Sequence, residues 1–144
     1  MTNEEWAQAE KELKHLHNPV TLICDGYRLQ LQLTQIGPMS LGITFFVNGW
    51  MRGEWIFNDG EERRRFFRPV QTPVHSAKSK RLYKGMSAKT LKKYDIDLNK
   101  TFTTYSFYWA SFAALKRHLV KNNTSIQLAP LEAAEVKGAV SSAL

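Results

Sequence analysis

Between Arg63 and Lys93 the chain carries eleven Lys or Arg residues and no Asp or Glu. The run reads RRRFFRPVQTPVHSAKSKRLYKGMSAKTLKK. Side chains of this kind hold anions. Arg63, Arg64, Arg65 and Arg68 offer planar guanidinium forks that match phosphate or carboxylate and stack on aromatic rings. Lys78, Lys80, Lys84, Lys89, Lys92 and Lys93 add mobile point charge, with Arg81 among them. Phe66, Phe67 and Tyr83 are interleaved, and Phe67 and Tyr83 are the candidates for stacking on bases. The arginines are expected to fix the geometry of a complex and the lysines to supply long-range attraction.

Outside this run stand nine basic and thirteen acidic residues. The net charge of +7 is therefore +11 in one segment and −4 in the remainder. Solubility alone does not require such asymmetry, whereas an anionic partner explains it. Glu61 and Glu62 precede the arginines and can pair with some of them. Nucleic acid and an acidic protein surface both fit this charge.

Other chemistry is thinly represented. A zinc site needs about four His, Cys or carboxylate ligands. The chain offers one cysteine, Cys24, and the scattered His15, His17, His75 and His118. His15 and His17 sit where a helix C-terminus favours them electrostatically. No Gly-x-Ser-x-Gly elbow or Walker-type glycine loop is present. Cys24 lies in an apolar stretch and reads as an inert core residue. A metal-dependent nuclease would need Asp25, Glu54, Asp59, Glu61 and Glu62 to converge. No catalytic residue, metal or cofactor is therefore expected.

The elements that must position the basic run follow from periodicity. Residues 3–16 predict a helix capped by Asn3, with Trp6, Ala9, Leu13 and Leu16 on one face. Residues 20–57 predict a β-meander. VTLIC ends at the turn pair Asp25-Gly26, and YRLQLQLTQ then alternates cleanly. LGITFFV and MRGEWIF complete the meander, joined by a three-residue loop, Val47-Asn48-Gly49. That loop pairs Phe45 with Met51, whereas a two-residue loop would set Arg52 against Phe45. HSAKSKRLYKGM reads as a loop, and Ser87 caps a short helix over AKTLKKY. TFTTYSFYW, residues 101–109, reads as a central strand covered on both faces, or as one carrying a binding patch. Ser111 caps a helix of about 12 residues ending near Asn122, and SIQLA offers a last strand. No internal repeat is read from the chain.

The stretches CDGYRLQLQL, FFVNGWMRGEW, RRFFRPV and YWASFAALKRHLVKNN resemble a group of small proteins of bacteriophages and prophages of Gram-positive bacteria. The resemblance covers roughly residues 20–128 and implies no particular activity. It implies a setting in which small proteins bind and redirect host machines, including restriction and CRISPR systems. Acidic mimicry of DNA, one strategy in that setting, does not suit a chain with this basic run.

The expected fold is a single α+β domain over residues 1–129. An antiparallel β-meander packs against two main helices, and the basic segment forms an irregular excursion. The Ala/Ser-rich tail, 130–144, is expected to be flexible. A lone cysteine, and no secretory signal or membrane span in the sequence, fit the cytoplasm, the host's if the protein is phage-encoded. The expected function is non-catalytic binding of nucleic acid or a nucleoprotein complex through residues 63–93. The alternatives are a protein–protein inhibitor gripping an acidic enzyme surface, and a small metal-dependent nucleic-acid enzyme.

Overall fold

A computed structural model describes residues 1–129, and the predicted 130–144 tail lies outside the described residues. In chain order the elements begin with α1 (Asn3–Glu12), β1 (Val20–Cys24), β2 (Tyr27–Gly37) and β3 (Ser40–Val47). Next come α2 (Glu54–Phe57), α3 (Glu61–Phe66), β4 (Arg68–Pro73), α4 (Ala77–Leu82) and α5 (Ala88–Lys93). The last are β5 (Thr101–Ser106), β6 (Tyr108–Trp109), α6 (Phe112–Asn122) and β7 (Ile126–Leu128). The class is α+β with an antiparallel sheet, as the alternation predicts. The described residues divide into two compact units, residues 1–68 with 106–129, and Pro69–Tyr105.

The larger unit is built on a five-stranded sheet in the order β6-β3-β2-β1-β7. The Asp25-Gly26 turn has φ of 48° and 89°, as a two-residue hairpin turn demands, and it pairs Cys24 with Tyr27. The predicted alternation of β2 follows, with Leu29 and Leu31 buried. Val20, Leu22 and Cys24 of β1, and Ile43, Phe45 and Val47 of β3, complete the buried strand residues. Trp6, Ala9 and Leu13 of the α1 segment are buried, as are Leu115 and Leu119 of α6. The Trp6 and Phe112 rings meet edge to face at 6.2 Å.

The ends of α1 differ from the prediction. Thr2, not Asn3, is the cap: its Oγ1 accepts from the Glu5 N–H while the Glu5 carboxylate accepts from the Thr2 N–H. That reciprocal bond holds the Glu5 carboxyl below its ordinary range. The helix stops at Glu12 rather than near Leu16. Asn18 Nδ2 donates to both the Glu12 carbonyl and its carboxylate, and His17 takes a left-handed φ of 62°. Leu16 consequently lies half exposed.

The fourth strand of the meander does not form. The turn after β3 is the two-residue Asn48-Gly49, with φ of 52° and 84°, and Val47 and Trp50 exchange both backbone hydrogen bonds across it. The three-residue loop is therefore overturned, yet the clash that motivated it never arises. The ladder ends at Trp50, and residues 54–57 coil into α2 before Arg52 reaches Phe45. The edge of β3 is taken instead by β6, with Ile43 opposite Trp109 and Thr44 opposite Tyr108. Gly42 permits the close approach: a Cβ there would lie 3.0 Å from Tyr108 Cδ2 and 2.9 Å from Ile36 Cδ1.

The smaller unit, Pro69–Tyr105, is a two-stranded sheet with two short helices between its strands. The Val74 N–H donates to the Lys100 carbonyl and Thr104 Oγ1 donates to the Val70 carbonyl, so β4 and β5 run antiparallel. Thr72 and Thr104 hydroxyls pair at 3.1 Å, and Gln71 Nε2 donates to Thr103 Oγ1 at 2.9 Å. Pro69 and Pro73 are tolerated because both strands of such a sheet are edges. This overturns the single central strand read over 101–109. Residues 101–104 are exposed in the small sheet, while Tyr108–Trp109 forms a separate edge strand in the large one. The excursion is also more regular than predicted, since HSAKSKRLYKGM contains α4 rather than a loop.

Candidate nucleic-acid interface

The basic run crosses the boundary between the two units, and its charges divide with it. Arg63, Arg64 and Arg65 lie on α3 and Arg68 opens β4, all in the larger unit. Lys78, Lys80, Arg81, Lys84, Lys89, Lys92 and Lys93 lie in the smaller one, with Lys100 as an eighth cation.

The arginines are engaged by the fold. Arg65 Nη1 donates to Asp25 Oδ2 at 2.6 Å and to Asn123 Oδ1 at 2.8 Å. Its Nη2 lies 2.7 Å from Glu61 Oε1, and the guanidinium sits 5.3 Å over the Tyr27 ring. Asp25 also accepts the Thr124 and Ser125 N–H groups at 2.8 and 2.7 Å. The Thr124 bond first, then Arg65 and Ser125, hold the Asp25 carboxyl below its ordinary range. Glu61 is held low by its bonds with Arg65 and Tyr27. Arg65 thus ties the β1–β2 turn, α3 and the end of α6 together, a structural clamp that the partner-contact expectation did not include. Arg63 reaches Asp59 at 3.4 Å with most of its side chain covered. Arg68 Nε donates to the Tyr108 carbonyl, and its guanidinium lies 5.4 Å over that ring. Only Arg64 of the four keeps an open side chain, two thirds exposed beside Asp59.

The backbone of α3 is clamped as well. Its Arg64 carbonyl accepts from His118 Nε2–H of α6, and its Phe66 carbonyl accepts from Trp109 Nε1–H of β6. Burial depresses the His118 pKa, and Asn122 Nδ2 within 3.3 Å of Nδ1 favours the same neutral ring. Phe66 and Phe67 are fully buried. Phe67 meets Phe45 edge to face at 5.1 Å and Trp55 at 6.3 Å. It has no face to offer a base, which overturns its stacking role. Of the five carboxylates that a nuclease reading would gather, Asp25 and Glu61 face Arg65, Asp59 faces Arg63 and Arg64, and Glu54 faces Arg52. Burial pushes the Cys24 thiol up to about 12, in keeping with an inert core residue.

The smaller unit behaves oppositely. Its eight cations face only Asp95 and Asp97, a net of +6. Among the described residues, none of the eight has an ion-pair partner. All but Lys80 are exposed. Tyr83 is half buried, edge to face with His75 at 6.0 Å. Tyr94, which the sequence reading passes over as a contact, is 64% exposed with Lys93 Nζ 5.8 Å from its ring centre.

The two helices here are copies of one unit. SAKSKRLY (76–83) and SAKTLKKY (87–94) align with an offset of eleven residues. Ser76 Oγ accepts from the Ser79 N–H and Ser87 Oγ from the Thr90 N–H. Lys80 N–H donates to the Ser76 carbonyl and Leu91 N–H to that of Ser87. Lys84 N–H donates to the Arg81 carbonyl and Asp95 N–H to that of Lys92. Both helices have six residues, and a tyrosine closes each. This repeat escapes a search for periods of a whole supersecondary unit because it is only eleven residues long.

Among the described residues, no helix is long and apolar enough to cross a membrane. Comparison with known proteins finds no family model, curated protein or solved structure that matches the chain.

Proposed function

We propose that the protein is a non-catalytic nucleic-acid-binding protein whose contact surface is the unit Pro69–Tyr105. One observation carries this reading: eight cations stand there with no ion-pair partner among the described residues, while Arg63, Arg64 and Arg65 of the same run are paired with Asp59, Asp25 and Glu61. Unpaired lysines repel one another, and a phosphate backbone relieves that repulsion while releasing its own counterions. The phage setting that the resemblance implies makes a host nucleoprotein complex, such as a defence machine, the natural place for this contact. Gel-shift titration of unrelated DNA and RNA at two salt concentrations tests it. Binding that weakens steeply with salt supports the reading, and no binding at low salt overturns it.

A second reading has its own support. Leu82 is 77% exposed and Met86 46%, both among the lysines, and phosphates have no use for them. An acidic protein surface with an apolar centre would use both features. A pull-down with and without nuclease treatment separates the two: a partner that survives nuclease favours protein.

A further inference from the structure

We infer that the two copies of the eleven-residue unit are two equivalent contact arms for one single strand of nucleic acid, with Tyr94 as the base-stacking residue. This rests on the nucleic-acid reading. A surface that repeats suits a ligand that repeats. In α4, Lys78 and Arg81 are three residues apart and share a face; in α5, Lys89 and Lys92 occupy the same positions. The same serine cap and the same tyrosine closure hold each pair in the same local frame. A phosphodiester backbone presents the same anion at each step, whereas the acidic surface of a folded protein has no such period.

The two copies differ where stacking is concerned. Tyr83 has its ring against His75, while Tyr94 is largely exposed. Position 91 in the second copy is the half-buried Leu91, where the first has Lys80. Each copy keeps three cations, because Lys93 of the second stands where the first has Leu82, and that lysine lies beside the exposed Tyr94 ring. An exposed ring beside lysines is the arrangement that unstacked bases use, and paired bases in a duplex do not present their faces.

The test is fluorescence anisotropy of the full chain with labelled oligothymidylate and oligouridylate strands, and with a mixed-sequence duplex. The variants are K78A/R81A, K89A/K92A, the combination of all four, and Y94A. Alanine favours helix, so both helices are retained, and circular dichroism checks this. Each double variant is expected to lower the slope of log affinity against log salt by about 1.4, and the combination by about 2.8. Y94A is expected to weaken strand binding roughly 5- to 100-fold at an unchanged salt slope. If one double variant abolishes binding and the other changes nothing, the equivalence of the arms is overturned while the proposed function stands. Preference for duplex with no effect of Y94A overturns the single-strand assignment. Failure of every probe at low salt removes the proposed function itself.

Discussion

Arg65 Nη1 lies 2.6 Å from Asp25 Oδ2, and the same guanidinium reaches Asn123 and Glu61. The contact joins residues 40 positions apart and turns part of an apparently free basic run into internal structure. Replacing Arg65 by Met should therefore act on the fold rather than on binding. The expected result is a melting temperature about 3–6 °C lower. Affinity for nucleic acid, measured below the transition, should change far less than in K89A/K92A.

Asp25 carries a pH signature. Its folded-state carboxyl is depressed, so its stabilising effect is complete above the ordinary aspartate pKa of about 3.9 and disappears as pH falls through the lower folded value. Urea denaturation between roughly pH 5 and pH 2 should show stability falling with acidity. Asp25→Asn should flatten that slope without removing it, since Glu5 and Glu61 are also depressed.

His118 acts in a higher window. Its pKa is lowered from 6.5, so the unfolded chain takes up a proton before the folded one does. Stability should therefore decline as pH falls below 6.5, until the folded ring also titrates. His118→Gln should remove this decline, and an unchanged slope would show that the ring titrates normally.

Phe67 separates core from contact. Phe67→Ala should cost about 3–5 kcal/mol of stability, read from urea unfolding, because it leaves a cavity between Phe45 and Trp55. Y94A should leave the urea midpoint nearly unchanged. A Phe67 variant of wild-type stability would contradict the burial described above.

Gly49 tests the turn. With φ at 84° it occupies the left-handed region, and its added Cβ would meet only Arg28 Nη2 at 3.6 Å. Gly49→Ala should therefore cost about 1–2 kcal/mol through backbone strain alone. Gly53→Ala, where a Cβ has open space, should be close to neutral in the same thermal melts.

Local rules made much of this protein legible in its sequence. A β-branched apolar run marked β1 and alternation marked β2 and β3, and the buried positions Leu29, Leu31, Phe45 and Val47 fall where parity puts them. Ser87 and Ser111 cap the helices they precede. The Asp25-Gly26 turn needed only its two residue types. These features are set within a few residues by sterics and hydrogen bonding, so a local reading reaches them. Tertiary structure decided what depends on residues distant in sequence. Tyr108–Trp109, not residues 51–57, took the edge of β3, because pairing goes to whichever segment can supply apolar side chains without burying Arg52. Asp25 and Asn123 decided that Arg65 is a clamp, and Phe45 and Trp55 decided that Phe67 is core. The composition of the run showed how much positive charge there was. Asp59 and Glu61 pair with Arg63, Arg64 and Arg65 from within a turn or so of α3, but the Asp25 contact of Arg65 comes from 40 residues away, since Coulomb attraction follows distance in space and not separation in sequence.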